Sequence, residues 1–191
     1  MPNTFFASDH HFDHDNILKF TNYDGSPVRT FDSVEHMNEH MIQQHNSVVK
    51  PGDTCWFGGD VAIKRLGLRH VARLNGRKRL ILGNHDIFKN KDYLNAGFED
   101  LHSFRRFKNA AGGSSFVFTH IPVHSDSLGR WGVNVHGHTH GNCVKLPRGV
   151  DAKTGAILYS DKDDPRYFNV SMERLDDYTP IALEDMRGRF K

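Results

Sequence analysis

The chain has 191 residues, with 25 Lys plus Arg against 23 Asp plus Glu, 14 His and two Cys. That is enough chain for one domain with a sizeable core, and the near-balanced charge and 37% hydrophobic content exclude both a disordered and a membrane-like composition. Met1-Pro2-Asn3-Thr4 lacks the basic and apolar regions of a signal peptide, and Cys55 and Cys143 make no disulfide framework, so a cytoplasmic location is expected.

Thr4-Phe5-Phe6-Ala7-Ser8 is a short apolar run fit for a buried strand, and it ends at Asp9. Residues 32–46 read as a helix, with Asp32 as N-cap, Glu35 completing a capping box and Val34, Met37 and Met41 as its buried stripe. Pro51-Gly52-Asp53 turns the chain into a strand at Thr54 to Phe57, which ends at Gly58-Gly59-Asp60. Residues 64–75 read as a helix closed by Gly76. Arg79 to Leu82 is a third strand, followed by Gly83-Asn84-His85-Asp86, and residues 91–96 form a short helix ending at Gly97. Strands at Ser115 to Thr119 and Val133 to Val135 lead into His120 and into His136 to His140. The stretch 141–167 is a polar excursion, Phe168 to Met172 begins a last strand region, and residues 181–190 read as a terminal helix. Strand, ligand turn and helix repeat early in the chain, which argues for parallel β-α-β units in one α/β domain over residues 1–191.

Metal-ligand residue types follow these strands in five segments: Asp9-His10-His11, Gly59-Asp60, Gly83-Asn84-His85-Asp86, Thr119-His120 and Gly137-His138-Thr139-His140. Nine of the histidines, at 10, 11, 14, 85, 120, 124, 136, 138 and 140, lie in or beside them. Carboxylate, amide and imidazole without thiolate suit divalent Mn, Fe, Ni, Co or Zn. The ligands are too many for one ion and enough for two, which points to a two-metal hydrolase of phosphate esters. The carboxyl edge of an α/β sheet is where ligands bind.

These five segments, in this order, resemble the motifs of the calcineurin-like metallophosphoesterases over residues 9–140, and Ser8-Asp9-x-His11-Phe12-x-His14 resembles a small bacterial and phage branch of them. The resemblance implies an α/β, two-sheet β-sandwich flanked by helices. It implies that Asp9, His11 and His140 hold one divalent ion, that Asn84, His120 and His138 hold a second, and that Asp60 bridges them. Manganese is the first choice of metal. A metal-bridging hydroxide would attack phosphorus in line. His85 is the candidate for protonating the leaving group or stabilising phosphoryl oxygens, and Asp86 for orienting it. Asn84, His85, His14, His124 and Arg130 are the candidate substrate contacts. His10 and His136 are expected to face away from the metals, because strand neighbours alternate sides.

The expected activity is a phosphodiesterase acting on a nucleotide-type or other small phosphate ester, with a phosphomonoesterase, a nuclease and a non-catalytic metal-binding scaffold as alternatives. The chain departs from the protein-phosphatase pattern, since Val61-Ala62-Ile63 follows Asp60 where those enzymes continue to a phosphate-clamping arginine. Residues 61–85 carry seven Lys or Arg and no Asp or Glu, with Arg65, Arg69 and Arg73 four apart. They are either an electrostatic guide for an anionic substrate, nucleic acid included, or a solvated face. Trp131 could stack on a base. His36-Met37-Asn38-Glu39-His40 matches a metalloprotease signature, but its histidines lie opposite the buried stripe and are expected in solvent. No membrane partner is expected, and the oligomeric state is open.

Overall fold

The computed structural model describes residues 2–111, 114–186 and 190. In chain order these form β1 (Thr4–Ala7), α1 (Val34–Val48), β2 (Thr54–Phe57), β3 (Arg77–Ile81), α2 (Asn90–Ala96), β4 (Phe98–His102), β5 (Arg105–Ala111), β6 (Ser114–Phe118), β7 (Val133–His136), β8 (Lys145–Val150), β9 (Ile157–Asp163), β10 (Tyr167–Asn169), β11 (Ile181–Ala182) and α3 (Leu183–Met186). Short 3-10 helices fill several connections.

One sheet runs β11-β1-β2-β3-β4 and a second runs β10-β7-β6-β5, with β8 and β9 paired as a separate hairpin. Strands β1 to β4 are mutually parallel and β11 is an antiparallel edge. In the second sheet β6, β7 and β10 are parallel and β5 is antiparallel. The parallel order places Asp9 after β1, Asp60 after β2, Asn84 after β3, His120 after β6 and His138 after β7. Every candidate ligand therefore leaves the carboxyl end of a strand, as the sheet rule requires.

The sheets share one core. The fully buried Phe6 ring of β1 meets Phe107 of β5 at 5.3 Å and Phe116 and Phe118 of β6 at 5.7 and 5.5 Å, all edge-on. Trp56 of β2 packs on Phe107 at 5.3 Å. Edge-to-face geometry is the favourable one for ring quadrupoles. These rings fix the spacing between the two strand layers whose ends carry the candidate ligands.

Several elements differ from the sequence reading, each for a physical reason. Helix α1 is capped by Ser33, whose hydroxyl accepts the His36 amide at 3.1 Å, rather than by Asp32 one residue earlier. Its buried stripe holds the expected Val34, Met37 and Met41, extended by Ile42 and His45. The helix expected at 64–75 is a 3-10 helix, Arg65–Arg73. Gly67 within it is a poor α-helix former, and its Cα packs so closely on Phe12 that a Cβ would lie 2.7 Å from the Phe12 carbonyl.

Strands β4 and β5 escaped the sequence reading because they are sheet edges rich in charge, Glu99, Asp100, Arg105 and Arg106 among them. The 141–167 excursion contains the β8–β9 hairpin. The expected terminal helix begins as β11 and continues as α3, with residues 187–189 outside those described. Among the described residues no helix is long and apolar enough to cross a membrane.

Candidate metal centre

The segments after the strands bend in an unusual way. Eight non-glycine residues among those described have positive φ, and five of them are Asp9, His11, Asp60, His138 and His140. The left-handed region is strained for side chains with a Cβ, and such strain persists only where surroundings impose it. Its concentration on candidate ligands shows a backbone bent to point these side chains inward. Gly137 makes room for the bend, since a Cβ there would sit 2.3 Å from Asp9 Oδ2 and 2.0 Å from Ser8 Oγ.

Two donor groups result: Asp9 with His11 and His140, and Asp60 with His120 and His138. Within each group, one nitrogen or oxygen per residue lies within 4.8 Å of the others. The groups meet at one atom. Asp60 Oδ2 is 3.8 Å from His11 Nε2 and 3.4 Å from His120 Nε2. Asn84 joins the second group, with Oδ1 at 2.8 Å from His120 Nε2.

The polar atoms are arranged for a cation. His120 Nδ1 faces the Gly58 carbonyl at 2.8 Å, while its Nε2 faces the oxygens of Asn84 and Asp60. A neutral imidazole has one proton and cannot satisfy both sides. Asp9 Oδ2 accepts the His138 amide at 2.9 Å and the Ser171 hydroxyl at 3.0 Å, leaving the buried Oδ1 without a hydrogen-bond partner. Both ring nitrogens of buried His11 are likewise unpaired, with Nε2 at 3.9 Å from Asp9 Oδ1. Buried polar atoms without partners are costly. A divalent ion in each group would satisfy these lone pairs, so the residues fit the two ions expected from the sequence.

The electrostatics of the site favour positive charge in the same way. Burial opposes the His120 imidazolium, but the hydrogen bond to Asp60 and the charges of Asp9 and Asp60 outweigh it and raise the pKa to about 9. Burial would raise Asp60, yet His120 and the His85 amide bring it below its ordinary value. Burial pushes Asp9 up and His11 well down. Because the folded His120 value exceeds the ordinary 6.5, its stabilisation is complete below about pH 6.5 and is lost as pH rises through about 9. Thermal unfolding of chelator-treated protein should therefore show this contribution falling over that window. Saturating divalent metal should abolish the fall, because the ion displaces the proton. A chelated protein that gains stability across the window would contradict this assignment.

The remaining sequence candidates are placed as follows. His85 is exposed, its ring centroid 5.8 Å from that of His11, and its amide donates to Asp60 Oδ1 at 2.9 Å. Asp86 is buried, and both its oxygens accept backbone amides, from Asp60 at 2.7 Å, Val61 at 3.2 Å and Gly83 at 2.8 Å. It ties the β2 and β3 turns together rather than reaching the His85 ring. The His14 ring lies 5.3 Å from that of His11, and burial lowers its pKa. His124 is exposed and accepts the Asp126 amide at 3.3 Å, capping the 3-10 helix Ser125–Arg130. Arg130 ends that helix, and its carbonyl accepts from Arg106 at 3.4 Å. Among the described residues no hydrogen bond or ring contact joins His124 or Arg130 to the donor groups.

His10 faces the core, 4.8 Å from the Phe57 ring, and His136 turns Nδ1 to the Gly137 carbonyl at 2.8 Å. Among the described residues, His36 and His40 join no group of donors that could hold a metal ion. His40 meets Asp177 at 2.9 Å and Glu39 receives both Arg73 nitrogens, at 2.5 and 2.7 Å. Arg65 and Arg69 also face carboxylates, Asp92 at 3.5 Å and Asp13 at 3.1 Å.

Sequence reasoning missed Glu173, Ser171 and Arg29. Glu173 Oε1 lies 3.1 Å from His140 Nδ1 and accepts Arg29 Nε at 2.6 Å, and Ser171 holds Asp9. The polar pair Asn169-x-Ser171 in the expected last strand region was the available signal for Ser171, whereas Glu173 stands in the 3-10 helix Met172–Arg174 and gave none. Arg29, fully buried, had none.

No family model matches the chain. The chain is 30% identical over 188 residues to the uncharacterized protein MJ1445 of Methanocaldococcus jannaschii, covering 96% of this chain and 89% of that protein. Its fold is similar to that of AQ665 from Aquifex aeolicus, a protein of unknown function, with TM-score 0.66, 23% identity and coverage of 95% and 96%. An archaeal phosphodiesterase gives TM-score 0.46 at 17% identity, over 87% of this chain and 82% of that one. On the extent and identity of the match, the chain belongs to the same family as the M. jannaschii protein MJ1445.

Proposed function

We propose that this protein is a metal-dependent phosphoric ester hydrolase of calcineurin-like type, with a two-ion centre and a phosphodiester of nucleotide type as substrate. The observation that carries the reading is the convergence of both donor groups on Asp60, one carboxylate oxygen lying between His11 and His120. The rings of Phe6, Phe107 and Phe116 between the two sheets support the sandwich that the same reading expects.

Asp9, His11 and His140 would hold one ion, Asn84, His120 and His138 the other, and Asp60 would serve both. Bound divalent ions would supply water activation and neutralise charge on the phosphoryl oxygens. Asp60, fixed through Oδ1 by the His85 amide, keeps Oδ2 turned to both groups. Asp86 clamps the turns that carry Asp60 and Asn84, so the donors are held before substrate arrives. His85, exposed beside His11, is in place to give a proton to the leaving oxygen. His14, its ring 5.3 Å from that of His11, is a candidate phosphate contact.

A small ester fits better than a polynucleotide. Arg65, Arg69 and Arg73 are each engaged by a carboxylate, which weakens the basic track a nucleic acid needs. A cleft of about 580 Å³ opens beside Gly141 and Glu173, lined by Asn22, Tyr23, Lys145 and Arg174. That is the size of a small-molecule site, and the Tyr23 ring, 94% exposed, offers a stacking face for a base.

The test is turnover of bis-p-nitrophenyl phosphate and p-nitrophenyl phosphate with Mn²⁺. Diester hydrolysis that survives Glu39→Ala and disappears on chelation is expected. Turnover of the monoester alone would replace the diesterase by a phosphatase. Metal binding without turnover of either would favour a scaffold.

A further inference from the structure

The segment after β10 does more than close a sheet. It runs beside the end of β1, with Ser8 N donating to Val170 O at 2.9 Å and Met172 N donating to Ser8 O at 3.0 Å. Asn169 ends β10, Ser171 caps the 3-10 helix Met172–Arg174, and Glu173 lies within it. Asn169, Ser171 and Glu173 all turn to the donor loops. Asn169 Nδ2 donates to Thr139 Oγ1 at 3.0 Å, His140 O at 2.7 Å and Asn142 O at 3.0 Å. Ser171 holds Asp9 Oδ2, and Glu173 holds His140 Nδ1.

Arg29 closes the frame. Its side chain is fully buried, with Nε on Glu173 Oε1 at 2.6 Å, Nη1 on His10 O at 2.7 Å and Nη2 on Asp9 O. One guanidinium thus joins the Asp9–His11 turn to the carboxylate behind His140. All of these contacts act on one donor group. Among the described residues, no hydrogen bond from Ser171, Glu173 or Arg29 reaches the side chain of Asp60, His120 or Asn84.

We infer that Glu173, held by Arg29, is a positioning residue for one ion of the pair: it fixes His140 with Nδ1 protonated and Nε2 free to bind the metal. The inference rests on the two-ion reading above and adds that the two ions depend on different supports. A carboxylate behind a ligating imidazole orients the ring and raises its basicity, and losing it typically weakens metal binding about 10–100-fold. An ion held by Asp60 and His120 would have separate support, the Gly58 carbonyl facing His120 Nδ1 at 2.8 Å, and, among the described residues, meets this frame only through the His138 amide on Asp9 Oδ2.

The test is a calorimetric titration of chelator-stripped full-length protein with Zn²⁺, for wild type, Glu173→Gln, His140→Ala and the double variant. Wild type should bind two ions. Glu173→Gln, which keeps the side-chain shape, should bind one ion as wild type does and the other about 10–100-fold more weakly. In the His140→Ala background, Glu173→Gln should cause no further loss, because its effect passes through that ring. Equal weakening of both ions, unchanged affinities, or a full additional loss in the double variant would overturn the proposal. Wild-type protein that binds fewer than two ions would instead overturn the reading beneath it. Should Glu173→Gln fail to fold, long-range ¹H–¹⁵N spectra of Zn²⁺-loaded wild type decide the matter. They should show His140 protonated at Nδ1, and a proton at Nε2 would refute the assignment.

Discussion

Replacing Asp60 with alanine is expected to lower diester turnover by at least about 10³-fold, equivalent to roughly 4 kcal/mol of barrier. Its Oδ2 faces an imidazole of each donor group, 3.8 Å from His11 Nε2 and 3.4 Å from His120 Nε2. Its Oδ1 also receives the His85 amide at 2.9 Å, so the loop bearing the candidate acid would lose its anchor. The variant should fold, because the neighbouring turns remain tied by Asp86 through the amides of residues 60, 61 and 83. Steady-state kinetics with saturating Mn²⁺ and circular dichroism on the same preparation separate lost chemistry from lost fold. A folded Asp60→Ala variant retaining a tenth of the activity would contradict a shared carboxylate.

The largest effect on stability is expected from Phe6→Ala, at about 3–5 kcal/mol. The ring is fully buried and is the point where the first sheet meets three rings of the second. Removing it leaves a cavity between two packed layers that cannot collapse without shifting strands β1, β5 and β6. For a chain of this size the melting temperature should fall by roughly 6–20 °C. Because β1 leads directly into Asp9, metal affinity should weaken in the same variant. Denaturant unfolding that reports a loss below about 1 kcal/mol would show that the two sheets do not depend on this contact.

The site was legible in the sequence to the extent that its donors are local. Asp9, His11, Asp60, Asn84, His120, His138 and His140 each follow a short apolar strand within a compact segment, and the structure draws all of them into two adjoining groups. What supports them was hidden because it is distant. Ser171 stands 162 positions from the Asp9 it holds, and Glu173 stands 144 from Arg29. A lone arginine at 29 and a glutamate at 173 look like surface residues until the fold buries the first and covers the second.

His124 and Arg130 show the reverse case, proximity in sequence without a contact to the donors. They lie between two ligand segments in sequence, which suggested substrate contacts, yet the structure gives His124 a local role as cap of the 3-10 helix Ser125–Arg130 and, among the described residues, no hydrogen bond or ring contact from either to the donor groups. Parallel β-α-β rhythm revealed the interior strands β1, β2 and β3. It failed at β4 and β5, where the need to protect a sheet edge replaces apolar alternation with charge. Asp86 shows how a motif residue changes meaning in three dimensions. Its place beside His85 suggested an orienting partner, whereas its oxygens fasten two turns through backbone amides.

The central claim is that Asp60 joins two metal sites into one centre. The most direct measurement is electron paramagnetic resonance of the protein titrated with Mn²⁺. The account predicts two ions per chain with a spin-coupled spectrum in wild type, and loss of that coupling in Asp60→Ala. One ion per chain, or two ions giving only the spectrum of isolated Mn²⁺, would contradict it.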